Sequence, residues 1–244
     1  MTGCLGTTTD AEGMGLVVTY NSTNATIVEY WEDGELVDTQ YPVLAFDFSQ
    51  STAPAPFTTH AVKGVYVSGT VDADEHSVVE VEFQHHGFHV LELSTAFGAS
   101  ASEQADDEAY RNEVVVRIEK RIEWLESSTN EPLPMTLDTR NEVGEEPAAV
   151  IVIDSTVFNP ELINNFGGGQ EVEVSWALID ETQEACQSQP GTVDEGESAN
   201  WKTVHFNTYE VHELRVNYEE GQDTIDVEQT ISIQYESLET PPNA

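Results

Sequence analysis

Basic residues are what this chain most conspicuously lacks. Eight Lys and Arg stand against 46 Asp and Glu, a formal net charge of −38. Neutralising a phosphate backbone takes clustered Lys and Arg, so nucleic acid is excluded as a partner. Direct electrostatic attraction to an anionic membrane is excluded on the same ground. Cysteine is almost absent: Cys4 and Cys186 lie far apart, and nothing local requires them to pair. No apolar run approaches the ~18 residues that span a bilayer as a helix. Catalytic signatures are missing too. There is no G-x-S-x-G elbow, H-E-x-x-H, Gly-rich phosphate loop or C-x-x-C. The glycines at 167–169 form a lone triplet in a loop. The chain is therefore expected not to be an enzyme. A carboxylate-based hydrolase remains an alternative, because its acids need a set separation across a cleft that sequence does not display.

What is present is enough for a core. The 244 residues are 39% hydrophobic and 9% aromatic, which accommodates one large or two small domains. The acids are spread along the whole chain, as expected of a solvated, salt-adapted surface whose self-repulsion is screened. No cofactor is expected. The exception would be Ca²⁺, which needs several oxygens converging on one ion. The local candidates are Asp72, Asp74 and Glu75 in VDADEH, and Asp106 and Asp107 in ADDEA; neither is an EF-hand loop.

The N-terminus reads MTGCLGTTTDAEGMG. Thr2-Gly3-Cys4 resembles the end of a lipobox, the small-residue motif before the lipidated cysteine of exported lipoproteins. The Thr/Gly-rich residues after it resemble the flexible tether of such proteins. The resemblance implies lipidation of Cys4 and a place outside the cell, anchored to the outer face of the cytoplasmic membrane. Stable anchoring takes two lipid chains or signals. Asn21 and Asn24 head N-glycosylation sequons, in keeping with export.

Most of the chain predicts short strands. Residues 16–20 and 26–31 are β-branched and aromatic, and Asp33-Gly34 in EYWEDGELV marks a hairpin turn. Residues 43–48, 65–71, 78–83 and 88–93 come next, then a polar excursion at 100–111. VVVRIEKRIEW, at 114–124, fits both a strand and a helix period, and its β-branched run favours a strand. Arg111, Arg117, Lys120 and Arg121 fall on or beside it; in so acidic a chain they could serve as internal charge partners or a contact point, and a solvated strand face is the expected reading. SSTNEPLP, at 127–134, reads as a linker. Beyond it come strands at 135–138, 148–154 and 171–179, a long polar stretch at 180–200 that holds Cys186, and strands at 202–206, 211–218 and 225–235.

The two halves resemble each other. Val81, Glu82, Phe83, His89, Leu91 and Leu93 overlay on Val204, His205, Phe206, His212, Leu214 and Val216; Phe83 to His89 and Phe206 to His212 both span six residues. Val116, Ile118, Glu119, Ile122 and Trp124 overlay on Ile225, Val227, Glu228, Ile231 and Ile233. Two β-rich units of ~110 residues suit a pair of sandwiches.

GFHVLEL, with the pattern Gly-x-aromatic-x-apolar-x-apolar, resembles the penultimate strand of PKD and related immunoglobulin-like domains. There Gly-x-Tyr-x-Val-x-Leu places Tyr at the tyrosine corner. His89 and His212 fall at the Tyr position, and Trp176 in VSWALID resembles the central tryptophan of such sandwiches. The family's Trp-Asp-Phe-Gly-Asp-Gly signature is absent from both units. The resemblance implies an all-β fold of two consecutive immunoglobulin-like (PKD-like) sandwiches. The expected organisation is a tether at 1–14, a first domain with the N-terminal hairpin at 15–126, a second domain at 127–238, and a tail at 239–244.

Such domains serve as cell-surface spacers and binding modules. The expected function is a non-catalytic extracellular binding, adhesion or spacer module of a lipoprotein, with a protein or glycan partner. An alternative is a structural subunit of a surface layer or filament assembling by strand exchange, with the hairpin region at 16–37 as donor. The histidines of QHHGFHVLEL raise the question of a metal. Period two points His89 inward with Leu91 and Leu93, while a turn at His86-Gly87 would turn His85 and His86 to solvent. The three are expected to diverge, with His89 buried and its ring bonded to backbone.

Overall fold

The computed structural model describes residues 15–97, 109–161, 170–221 and 223–243, with backbone only at 109 and 110. The expected tether, Cys4, Asp106, Asp107 and the glycines at 167–169 lie outside them. The described residues contain fifteen strands and no helix. They are β1 (Asn24–Glu32), β2 (Glu35–Gln40), β3 (Val43–Asp47), β4 (Phe57–Lys63), β5 (Ser68–Asp72), β6 (Val78–Glu82), β7 (Gly87–Phe97) and β8 (Ala109–Thr129). β9 (Met135–Asp138), β10 (Val150–Phe158), β11 (Val172–Ile179), β12 (Ala185–Val193), β13 (Ser198–His205), β14 (Val211–Glu220) and β15 (Ile225–Gln234) complete the set. The ambiguous segment 114–124 is strand, inside β8. Residues 16–20 do not form one; the segment has an isolated bridge from Thr19 to Asp47, and Gly15 just before it bridges Thr52.

Two compact units result. Among the described residues the first takes those up to Ala25, Tyr41–Ile118 and those from Ser237 onward. The second takes Thr26–Gln40 and Glu119–Glu236. These boundaries differ from 15–126 and 127–238. The N-terminal hairpin belongs with the second unit, since Glu29 meets Lys120 and Trp31 stacks on Trp124. Its turn is built as read: Asp33 and Gly34 both have positive φ, 48° and 81°, the pairing that matches the twist of two-residue hairpins. The expected linker is strand as far as Thr129.

In the first unit, β5, β4, β7 and the leading part of β8 form one sheet, and β3 pairs with β6. Alternation sorts the side chains. Along β7, Leu91, Leu93 and Phe97 are buried, and Val90 is exposed. Each fully buried Leu or Phe contributes roughly 1.5–3 kcal/mol. Along β6, Val79 and Val81 turn inward and Glu80 and Glu82 outward.

The second unit is a β-sandwich. One layer contains β13, β10, β15 and the trailing part of β8; the other is β12, β11, β14 and β9. Its core takes Ile151, Ile153, Val227 and Ile231 from the first layer and Leu137, Trp176, Leu178 and Leu214 from the second. Trp176 is 1% exposed, and its indole N–H donates to Ser155 Oγ at 2.9 Å. That satisfies the one polar group such a core tryptophan carries. Gly191 lies against its ring, where a Cβ would stand 2.5 Å from Trp176.

The overlay of the two halves holds only in part. β7 pairs with β8, but β14 pairs with β11 and β9, while β15 lies beside β10 in the other layer. β9 has the place beside β14 that β8 has beside β7. The polar stretch at 180–200 contains β12 and the start of β13. β12 is an edge strand paired only through β11, which is where Pro190 is tolerated.

The residues expected as a tail are bound into the first unit. Thr240 N–H donates to Val115 O at 3.0 Å and Val115 N–H to Thr240 Oγ1 at 2.9 Å. Asn243 donates to Val18 O at 2.9 Å and accepts from Tyr20 N–H at 3.0 Å. Arg117 grips Glu239 with two bonds, 2.9 and 3.0 Å. The basic cluster is thus divided: Arg111 and Arg121 are exposed, as a solvated face requires, while Arg117 and Lys120 are drawn into ion pairs. Arg111 pairs with Glu92, Lys120 with Glu29 and Arg121 with Glu123. Only the Arg117 and Lys120 pairs are mostly buried, with 11–18% of each side chain exposed. The Arg117 guanidinium holds the Glu239 carboxyl below its ordinary value, against partial burial. Removing one partner leaves an uncompensated charge. Arg117→Met is expected to destabilise the first unit by about 3 kcal/mol, and deleting residues 238–244 to do so at least as strongly; denaturant unfolding reads both.

Candidate functional site

Two places in the second unit bring chemically distinctive side chains together. The first is a groove of about 180 Å³. Trp31 and Trp124 form its aromatic wall, with ring centroids 5.7 Å apart and planes at 24°. Tyr30 and Leu125 extend the apolar surface, and Glu32, Glu123 and Glu228 supply carboxylates. The β1–β2 hairpin delivers Trp31, and register opposite β15 places Leu125 across from Glu228. Both indoles are fixed from behind. Trp31 N–H donates to Glu29 at 3.1 Å, and Trp124 N–H to the buried Glu126 at 2.8 Å. Glu126 also accepts from Leu133 N–H at 3.0 and 3.1 Å. Glu123 is held by Arg121 and Thr230.

The second place joins three strands. Cys186 on β12, His205 at the end of β13 and His212 near the start of β14 each offer one ligand atom, and these lie within 4.8 Å of one another. Cys186 sits in a bulge: Leu178 pairs with Gln187 and Ile179 with Ala185, so Cys186 has no cross-strand partner on β11. A bulge re-aims the side chain it carries. Gln187 fixes β12 to β13, donating to Val204 O at 3.1 Å and accepting from the Thr203 hydroxyl at 2.5 Å. His205 and His212 meet edge to face, with centroids 4.8 Å apart at 80°. His212 is 1% exposed, and its Nε2 bonds Asn207 O at 2.9 Å. His212 Nδ1 and His205 Nε2 are buried and have no hydrogen-bond partner among the described residues. Burial and the neighbouring His212 depress the His205 pKa, and Glu210 opposes them. Partial burial, then Asp180 and Glu210, push the Cys186 thiol up.

The histidines singled out from sequence divide. His89 is 2% exposed, its Nε2 bonds His85 O at 2.8 Å, and Phe83 meets its ring edge-on at 4.9 Å. His85 lies against Tyr66, but His86 does not face solvent; it is 1% exposed. The bend falls at His85, and His86 leads directly into β7. The repeat is also offset by one residue. His212 meets His205, not Phe206, which is 73% exposed. Phe83 therefore corresponds to His205, His85 to Asn207 and His86 to Thr208, which is also buried. The second loop has one more residue. Asp72, Asp74 and Glu75 do not converge among the described residues; Asp72 caps its own turn through Asp74 N–H at 3.0 Å. Asn21 is exposed, while the hydroxyl of its sequon residue Thr23 is buried and donates to Thr240 O. Asn24 is exposed and bonds Glu239.

No family model matches the chain, and no curated protein does. Among solved structures it resembles carbohydrate-binding modules from the β-sandwich superfamily, at 7% identity over 90% of this chain and 97% of that one, with a TM-score of 0.31. A two-domain protein of unknown function from Bacteroides fragilis is similar at 9% identity over 89% and 94%, with a TM-score of 0.25. A Bacteroides uniformis β-glucuronidase matches at 9% identity over 90% of this chain and 30% of its own, with a TM-score of 0.26. Such likenesses specify neither a family nor a ligand.

Sequence reasoning passed over His60. It is 3% exposed, stacks on Phe48 at 4.7 Å and bonds Thr95 Oγ1 at 2.8 Å. Burial lowers its pKa from the ordinary 6.5, and Asp47 opposes the shift. Unfolding frees the ring to take up a proton, so its contribution is full above about pH 6.5 and declines as the pH falls through the depressed value. Denaturant midpoints measured from pH 7.5 to 5 are expected to fall, and to fall less in His60→Phe.

Proposed function

We propose that the chain is a non-catalytic binding module that works outside the cell, and that its ligand is a neutral glycan held in the tryptophan groove. The observation that carries this reading is the Trp31–Trp124 pair with carboxylates at its rim. A sugar ring lays its C–H face on an indole, and its hydroxyls donate to carboxylates. Both indoles are held in place before a ligand arrives, which lowers the entropic cost of binding. An anionic ligand does not fit, since Glu32, Glu123 and Glu228 all line the groove. The net charge of −38 suits secretion into a salty medium. Lipidation at Cys4 would hold the module at the outer face of the membrane.

Calorimetric titration with neutral oligosaccharides is expected to show binding that Trp31→Ala weakens at least about tenfold, in line with the loss of an aromatic anchor. Binding of basic peptides but no sugars would refute the glycan. Release of new reducing ends from a bound oligosaccharide would make the protein a hydrolase.

A structural subunit assembled by strand addition is the second reading, favoured by one feature. Among the described residues β2 pairs with β1 alone, and its Leu36 and Val37 are about half exposed. An open edge of this kind accepts another strand. Light scattering after size exclusion at high salt is expected to show an oligomer that Val37→Lys reduces to monomer. A monomer in both would end this reading.

A further inference from the structure

We infer that Cys186, His205 and His212 form a binding site for one transition-metal ion of the Zn²⁺ class, tying β12, β13 and β14 together. The ligand set is one soft sulfur and two imidazoles, a combination suited to zinc and its neighbours and not to Ca²⁺ or Mg²⁺.

Distance favours it. In a tetrahedral zinc site, with Zn–N ~2.0–2.1 Å and Zn–S ~2.3 Å, ligand atoms stand roughly 3.4–3.8 Å apart. Here all three lie within 4.8 Å of one another. Cys186 is exposed on an edge strand, where its side chain has room to change rotamer.

The imidazoles are prepared for the task. His212 Nε2 is bonded to the Asn207 carbonyl, which can only accept, so the proton is on Nε2 and the Nδ1 lone pair is free. That is the outer-shell bond by which metal-binding histidines are usually oriented. His212 Nδ1 is buried without a hydrogen-bond partner among the described residues, and so is His205 Nε2. One such nitrogen is not distinctive, since His89 Nδ1 is buried in the same way; two of them beside a thiol, with ligand atoms within 4.8 Å, point to an ion shared with the thiolate of Cys186. Asp180, Glu184 and Glu210 surround the thiol with negative charge. The same field attracts a dication. Binding then replaces the thiol proton, which leaves to solvent.

The first unit is the internal control. His89 makes the same backbone bond as His212, but its edge-on partner is Phe83. A framework histidine alone is thus not a site. The second unit puts His205 where the first has Phe83, and adds Cys186 on a bulge.

The test uses the full chain carrying Cys4→Ser, so that Cys186 is the single thiol. Co²⁺ is titrated against a large excess of Ca²⁺ in high salt, which occupies surface carboxylates. The expected result is one ion per chain, a near-ultraviolet thiolate-to-cobalt charge-transfer band, and displacement of that band by Zn²⁺. Cys186→Ser should abolish the band without altering the fold, because the side chain is exposed. His205→Phe restores the ring found in the first unit. It should weaken Co²⁺ binding at least on the order of 100-fold while the far-ultraviolet spectrum stays unchanged. Binding that Ca²⁺ suppresses, that gives no thiolate band, or that persists in Cys186→Ser would overturn the site.

Discussion

Separation of charge from core is the constraint on which this structure depends. Forty-six carboxylates have to fold with eight cationic side chains to balance them. Period-two alternation achieves it. Along β6 and β15 most apolar residues turn inward and acidic or polar ones outward, with the exposed Val78 and the buried Gln229 as exceptions. A helix-rich fold would have to confine its apolar residues to a stripe, whereas each strand separates them at every step. Two of the scarce cations go where a carboxylate has been drawn out of water, Arg117 at Glu239 and Lys120 at Glu29.

Repetition with divergence explains much of the rest. A buried histidine bonded to a carbonyl in the preceding loop recurs in both units, as His89 and His212. Around it the units differ. One meets the ring with Phe83 and the other with His205. One sends the next strand alongside as β8, while the other sends β15 to the opposite layer. A framework position is kept because its polar edge has a fixed acceptor, and what faces its other edge is free to change. That freedom lets a structural histidine take part in a ligand set.

The tryptophan groove and the His/Cys cluster are both built by side chains that arrive from separate strands onto a fixed base. Trp31 comes from the hairpin onto Trp124, itself held by Glu126. Cys186 comes from an edge strand onto two histidines already in contact. In each case the late-arriving residue is the more exposed one, which is the residue a ligand can reach.

Sequence alone determined the all-β class and most strands, because alternation and β-branching are local properties; it passed over β4 and β12 and placed a strand at 16–20 that does not form. It determined the Asp33-Gly34 hairpin, where positive φ falls on residues that tolerate it, and the inward face of His89, a consequence of period two. Tertiary structure decided what depends on partners. Pro190 and the polar residues around it argue against a strand until β12 is seen at an edge, needing bonds on one side only. The one-residue shift that makes His205 the counterpart of Phe83 is invisible to spacing, because a loop absorbs an extra residue without disturbing the strand after it. The hairpin's membership of the second unit rests on the Trp31–Trp124 stack, and the binding of residues 238–243 on their hydrogen bonds to Val115, Tyr20 and Val18. Convergence of Cys186, His205 and His212 was decided by three strands and a bulge, since no local pattern records which side chains the register of distant strands brings together.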